Sequence, residues 1–412
     1  MTAFIVAFLY QWMQVSIKIL YATVTFTDIA RLTKFPSNII EAYILSSIAL
    51  IVVSYGISIQ LKKIKLSDME VECALKRVHF KSVVILYLCM GIITEGLMLI
   101  PGFFQFSVMT AGFKWGLFYL LFIYCHTQKR YKALLYLIIT YEIGIGFFSY
   151  FASWKTVIFY ILIGCFSVLR INSKRVLSLI IASCIVIYVA LIWTGVKGEY
   201  RSFISGDNKQ SVVVSSTDAY NKLFELASDF QLTDKVSSSL LDRMSYIDYF
   251  SSCLAYVPEE QPYETGNLTL AAIKHIFMPR ALFPNKPIID ESSHLTKYTG
   301  VFYSNYSMGV SFSLGYVGDF YVDYGFIGMF VALFLLGFLI GEIFLSIFNG
   351  APDKLLAVAI LGMAFLLLYK FEISMLKLIG NITVFWILYR LLERFLFPYI
   401  IHFFIERPTH EE

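Results

Sequence analysis

Apolar residues run along this chain in long, nearly unbroken windows. A helix that crosses a bilayer needs roughly 20 mainly apolar residues. About ten windows meet or approach that length. They lie near 3–26, 39–59, 82–103, 106–125, 133–151, 156–171, 177–195, 324–348, 355–375 and 378–397. The pattern changes over residues 196–311. Residues 202–217 are rich in Ser, Asp, Asn and Lys and predict an exposed loop. Beyond them Val236, Leu240, Leu241, Met244, Ile247 and Leu254 recur near helical spacing, as do Leu270, Ile273 and Phe277. Such stripes predict short amphipathic helices, either lying on a membrane face or packed on the tops of the spans. The fold class is therefore all-α: a polytopic membrane helical bundle of about ten spans, with a large extracytoplasmic loop carrying short amphipathic helices. It divides into an N-terminal bundle of about seven spans (1–195), the loop (196–311), and a C-terminal bundle of about three spans with a short cytoplasmic tail (312–412). No internal repeat or low-complexity tract accompanies it.

Composition agrees with the pattern. Of 412 residues, 58% are apolar and only 15% charged, and the mean hydropathy is +0.70. That leaves too little polar surface for a domain surrounded by water. The first window lacks a basic start and a small-residue cleavage site, so it reads as a retained span. Net charge is only +4, and its placement says more than its size. Lys62, Lys63, Lys65, Lys76, Arg77 and Lys81 follow the second window; Lys129, Arg130 and Lys132 follow the fourth; Arg170, Lys174 and Arg175 follow the sixth. Basic joints alternate, which predicts cytoplasmic termini and places 196–311 outside. Of the six cysteines, Cys89, Cys125, Cys165 and Cys184 fall in apolar windows, Cys73 in a basic joint and Cys253 in the outer stretch. That distribution is not a disulfide framework.

Ionisable residues inside apolar windows cost roughly 2.5–3.5 kcal/mol each on insertion scales. Under this topology Lys18, Glu95, Lys114, Lys370, Glu372 and Lys377 fall in the outward part of their windows, Glu142 sits mid-window, and Lys155 opens the sixth at its outer end. The bias predicts a polar cavity opening outward. Ion pairs between helices, such as Lys370 or Lys377 with Glu372, are the plainer account of any one residue.

The stretch Met278-Pro279-Arg280-Ala281-Leu282-Phe283-Pro284-Asn285-Lys286-Pro287 carries the clearest chemistry. Three prolines fix a non-regular backbone. Arg280 and Lys286 stand on it among apolar residues. An Arg fork makes two charge-assisted bonds to a phosphate, and Lys adds a point charge. This stretch resembles the Pro-Arg-x-x-x-Pro-x-Lys-Pro signature of the Wzy-type O-antigen (oligosaccharide repeat-unit) polymerases. Arg243 in Leu241-Asp242-Arg243-Met244-Ser245 is similar to an Arg-x-Ser segment upstream of that signature. Tyr200-Arg201 resembles the start of the family's outer loop, and Gly318-Asp319-Phe320-Tyr321-Val322-Asp323-Tyr324-Gly325 its acidic lead-in to the next span. Ser153-Trp154-Lys155-Thr156 is similar to a Ser-x-Arg or Ser-Arg element of related polymerases and ligases, with Lys in place of Arg.

The resemblance implies a glycosyltransferase of the bacterial cytoplasmic (inner) membrane. It would polymerise undecaprenyl-diphosphate-linked oligosaccharide repeat units on the outer face, building a surface polysaccharide. The energy would come from the lipid diphosphate bond, whose leaving group gathers negative charge in the transition state and is stabilised by preorganised cations. Arg280, Asp319 and Asp323 are then the candidate catalytic residues, and Arg243, Lys286, Arg201, Lys155 and His275 the candidate substrate-binding ones. His275 and His294 are further candidates for the base that serves the acceptor hydroxyl. His275 and His294 lack metal-ligand spacing, so no metal or other cofactor is expected. Membrane lipids, a chain-length regulator and a flippase are the implied partners, and no nucleic acid is. Three other readings stand beside this one: an O-antigen ligase-like enzyme that shares the leaving group, a flippase or transporter for the same lipid-linked sugars, and a non-enzymatic membrane scaffold or sensor.

Overall fold

A computed structural model of the chain describes residues 2–33, 36–100, 103–148, 154–168, 173–205, 213–278, 283, 285–286, 289–304 and 311–404. The elements among the described residues are eighteen α-helices and one short 3-10 helix, Ile29–Arg31. In chain order they are α1 (Thr2–Thr25), α2 (Pro36–Leu61), α3 (Asp68–Lys76), α4 (Phe80–Met98), α5 (Phe104–Thr127), α6 (Lys132–Phe148), α7 (Trp154–Val168), α8 (Ser173–Ser205) and α9 (Ser216–Ser228). They continue as α10 (Asp234–Met244), α11 (Ile247–Tyr256), α12 (Asn267–Ile276), α13 (Glu291–Thr299), α14 (Tyr316–Gly350), α15 (Lys354–Gly362), α16 (Ala364–Leu368), α17 (Met375–Phe395) and α18 (Phe397–Phe404). Seven helices among the described residues are long and apolar enough to cross a membrane: those in α1, α2, α4, α5, α8, α14 and α17. Trp154–Val168 and Lys354–Leu368 are shorter apolar helices.

The helices form two compact units, one of Met1–Leu121 with Ser245–Glu412 and one of Phe122–Met244. This is a division by packing, different in kind from the division by membrane side drawn from the sequence.

In the first unit, α2 and α14 make the most extensive helix pair. Glycines permit it. A Cβ on Gly56 would stand 2.7 Å from the Phe334 carbonyl, and one on Gly337 would run into the carbonyl of Val53. Small residues that let backbones approach are the usual basis of helix pairing where lipid removes the hydrophobic drive. α14 starts at Tyr316, eight residues before the predicted window, because the acidic lead-in is itself helical. Gly325 (φ 70°) breaks the helix just after that lead-in, and residues 316–323 are all buried.

The predicted ninth window, 355–375, is not one continuous helix. α15 and α16 end at Leu368, and residues 369–374 are non-helical before α17 begins. Two buried amides of α1 hold this break. Gln11 Nε2 donates to the Leu368 carbonyl, and Gln11 Oε1 accepts from Tyr316 Oη (2.8 Å). Gln14 Oε1 accepts from Phe371 N (2.9 Å), and Gln14 Nε2 donates to Glu372 Oε2 (2.8 Å). Backbone groups left open in a buried place need partners from elsewhere in the protein, which is what these side chains supply. Glu372 meets Gln14 and feels the charge of Lys370, while Lys377 pairs with Glu291 on α13, so of the two partners offered for Glu372 from the sequence Lys377 is corrected. Lys18, 3% exposed, pairs with Asp248 on α11, whose other oxygen accepts from Thr33. Of the two stripes, Leu270, Ile273 and Phe277 at α12 are exposed, Phe277 at 77%, whereas Leu241 and Ile247 of the earlier one are buried.

In the second unit, α8 continues ten residues beyond the predicted end at 195. Trp154, Trp193, Tyr200, Ile204 and Ala219 form its core, joining α7, α8 and α9. Phe147 stacks on Trp154 (5.1 Å between centroids), and Trp193 meets Tyr200 edge-on (5.7 Å).

Candidate functional site

The second unit gathers three of the cations singled out in the sequence. Trp154 and Tyr200 are buried almost completely in the aromatic core, and Lys155 and Arg201 are their immediate neighbours in the chain. The core thus fixes where both cations emerge. The Lys155 ammonium lies 5.9 Å from the centre of the Trp154 ring. Arg243 stands in the last turn of α10, which packs on α8. The positive charges of Arg243 and Arg201 both bear on Lys155. Lys155 is exposed and Arg201 is half-buried, so a ligand could reach them.

The first unit gathers the carboxylates. Asp290 caps α13 by accepting from the backbone N–H groups of Ser292 and Ser293, both at 3.1 Å, and Gly300 (φ 65°) ends the helix. That short, doubly fixed helix presents Glu291 and, one turn on, His294. Glu291 accepts from Ser374 Oγ (2.6 Å) and pairs with Lys377. His294 Nε2 lies 3.0 Å from Asp319 Oδ1. The second oxygen of Asp319 accepts from Met375 N (2.8 Å), so the carboxylate also sits at the positive N-terminus of α17. The His294 side chain keeps 30% exposure against 5% for Asp319. His294 is thus the member of the pair that a substrate could touch. Burial opposes the charged imidazole, but the hydrogen bond and charge of Asp319 outweigh it and hold His294 above its ordinary value. Glu291 acts in the same direction as Asp319, and Lys297 against it.

Asp323 has a different duty. It is completely buried, and its oxygens accept from Gly266 N (2.8 Å), Leu268 N (3.1 Å), Thr269 N (2.9 Å) and Thr269 Oγ1 (2.7 Å). These donors form the N-terminal end of α12. With both oxygens so occupied and no exposure, Asp323 is placed to anchor that helix rather than to meet an acceptor hydroxyl.

Lys286 folds back onto the other end of α12, donating to the carbonyls of His275 (2.5 Å) and Met278 (2.8 Å). Lys286 and His275 are thereby brought together, through the His275 backbone. Cations suit that end, where helix carbonyls lack partners. Arg280 lies outside the described residues, as do Pro279, Pro284 and Pro287.

Sequence reasoning did not single out Glu291 or the amides Gln11 and Gln14. A Gln-x-x-Gln spacing on an otherwise apolar helix was the available signal, since both residues then share one face. Nothing local to Glu291 marks its link to Ser374, which is 83 residues away. Among the described residues, no group of three or more His, Cys, Asp or Glu side chains is placed to hold a metal ion.

A family model described as a domain of unknown function (DUF8712) matches residues 9–393. No curated protein and no solved structure matches the chain.

Proposed function

We propose that this chain, which belongs to the DUF8712 family, is a membrane glycosyltransferase that polymerises oligosaccharide repeat units carried on undecaprenyl diphosphate. The observation that carries the reading is that the aromatic core and the packing of α10 on α8 bring Arg201 and Arg243 each close enough for their charges to act on Lys155. These three come from separate helices, and each lies in a segment that resembles a Wzy-type polymerase segment.

The chemistry follows from the charge. The bond between the anomeric carbon of the donor glycan and the diphosphate oxygen breaks, and its electron pair stays on the diphosphate. A new bond forms from that carbon to a hydroxyl oxygen of the acceptor sugar. Cations already in place stabilise the departing diphosphate most as its charge grows, and they need no reorganisation at that moment. Arg201 and Arg243 offer planar forks to phosphate oxygens, and Lys155 adds a point charge. The acceptor hydroxyl gives up a proton. A base receives it, and the family resemblance offers Asp319, Asp323, His275 and His294 as its candidates. Arg280 and Lys286 enter this reading through the resemblance of the Pro-Arg to Lys-Pro stretch.

Binding is the direct test. Protein purified in nanodiscs is titrated with undecaprenyl diphosphate and observed by native mass spectrometry. Wild type is expected to retain the lipid, and Arg201→Gln with Arg243→Gln to lose at least tenfold in affinity. Equal binding by both proteins sinks the assignment of these cations.

A further inference from the structure

α14 and α17 are both long and apolar enough to cross a membrane, and they run side by side in the same direction. Near their starts Asp319 accepts from Met375 N (2.8 Å), and near their far ends Tyr389 Oη donates to the Ile347 carbonyl (3.0 Å). A bilayer crossed by one is crossed by the other. The acidic lead-in of α14 ends at Asp323, and its long apolar run follows. Thr269 Oγ1 reaches both Asp323 Oδ2 (2.7 Å) and the Met375 sulfur (3.5 Å). Asp323, Met375 and the start of α12 therefore share one level, where the apolar layer begins.

From that level α12 goes deeper. It packs along α17. Thr269 stands at Met375, and two turns later Ile276 stands at Gly380, where a Cβ would lie 3.9 Å from Ile276 Cγ1. Its neighbours on α17 thus advance from Met375 to Gly380, which is roughly 7.5 Å along that axis. The chain then returns. Glu291 on α13 accepts from Ser374 Oγ (2.6 Å), and Ser374 is the N-cap of α17. At the deep end, Lys286 donates to the carbonyls of His275 and Met278. Backbone carbonyls left open below a membrane surface need partners of this kind.

The two faces of α12 differ. Thr269, Ala272 and Ile276 share the face toward α17, and Ala272 is fully buried. Leu270, Ile273 and Phe277 repeat the same spacing on the opposite face and are exposed. Lys274 is exposed among them, and its long stem lets the ammonium reach up to the head groups. Exposed apolar side chains on a segment that descends beside a spanning helix meet hydrocarbon, as do Ile327 and Val331 on α14.

We infer that α12 is a re-entrant helix, and that Leu270, Ile273 and Phe277 dock on the acyl chains of the surrounding bilayer. The inference rests on the crossing of the membrane by α14 and α17, and not on the proposed diphosphate cations.

Spin-label accessibility in nanodiscs that hold one copy of the full chain provides the test. Single cysteines at Leu270, Ile273 and Phe277, in a protein whose native cysteines are replaced by serine, carry a nitroxide. Val331 on α14 and the exposed Glu260 serve as references for lipid and water. The ratio of access by oxygen to access by a water-soluble nickel chelate is expected to be several-fold higher at Phe277 than at Glu260, and close to that at Val331. It should rise from Leu270 to Phe277. A Phe277 ratio like that of Glu260 overturns the inference. Equal ratios at Leu270 and Phe277 overturn the re-entrant path, because a helix lying flat on the surface has one depth. A label at Phe277 that neither reagent reaches overturns the lipid occupant, because protein would then cover the face. A measurement on wild type covers the case in which the cysteine-free protein does not fold. Phosphatidylcholine with a diazirine in its acyl chain should mark peptides containing Ile273 and Phe277 as strongly as those containing Val331, and more strongly than those containing Glu260. Marking at the level of Glu260 overturns the inference.

Discussion

His294 Nε2 stands 3.0 Å from Oδ1 of Asp319, and the other oxygen of that carboxylate is fixed by the backbone N–H of Met375. A short helix capped at both ends thus meets the first turn of α14 and the start of α17 at one carboxylate.

This pairing makes stability depend on pH in a defined direction. His294 is held above its ordinary value, so the folded state binds the proton more tightly than the unfolded chain does. The stabilisation is fully present below the unfolded value near 6.5 and is lost as pH rises through the higher folded value. His294→Gln should therefore cost roughly 1.5–3 kcal/mol at acid pH, the range for a hydrogen bond to a charged group, and progressively less at alkaline pH. Thermal unfolding in detergent, followed from pH 5 to 9 for both proteins, checks this. A deficit that grows with pH would contradict the pairing.

The two aspartates of the acidic lead-in should separate cleanly. Asp323→Asn removes an acceptor oxygen from four donors and puts an amide N–H₂ among them. A cost of about 1–3 kcal/mol in stability is expected from donors left unsatisfied. Asp319→Asn should weaken polymer synthesis while abundance in the membrane stays normal, since His294 loses its orienting charge. Abundance by immunoblot and glycan length by gel distinguish the two. If Asp323→Asn is as stable as wild type and yet inactive, Asp323 is catalytic and its anchoring role is secondary.

The break between α16 and α17 depends on α1. Gln14→Leu leaves Phe371 N and Glu372 without their partner in a buried place. The expected loss is about 1–3 kcal/mol, and more if the Glu372 carboxylate stays charged. Gln14→Glu should be worse than Gln14→Leu, because it sets a second carboxylate beside Glu372. A Gln14→Leu protein that unfolds at the wild-type temperature would show that the amide is dispensable.

These contacts also mark what the sequence could and could not disclose. Length and apolarity are local properties, so the windows that became α1, α2, α4, α5, α8, α14 and α17 were legible. The failure at 355–375 was not local. Its apolar residues cannot reveal that Gln11 and Gln14, more than 350 positions away, supply partners for an open backbone. The early start of α14 was obscured by its own polarity, because Asp319 and Asp323 look like loop residues until Met375 N and the α12 N-terminus appear as their partners. For the candidate site, residue type was informative and role was not. Arg201 and Arg243 each act on Lys155, whereas Lys286, chosen on the same grounds, spends its charge on helix carbonyls.

The central claim is that Lys155, Arg201 and Arg243 hold the diphosphate of a lipid-linked donor. Glycan length on cells that carry Arg243→Gln in place of wild type tests it most directly, with membrane abundance measured beside it. Loss of one preorganised charge-assisted contact should slow transfer by about a hundred- to a thousandfold. Single repeat units should then reach the surface while the ladder of longer chains disappears, and Arg243→Lys should restore only part of it, because Lys lacks the bidentate fork. A wild-type ladder from Arg243→Gln at normal abundance would contradict the account.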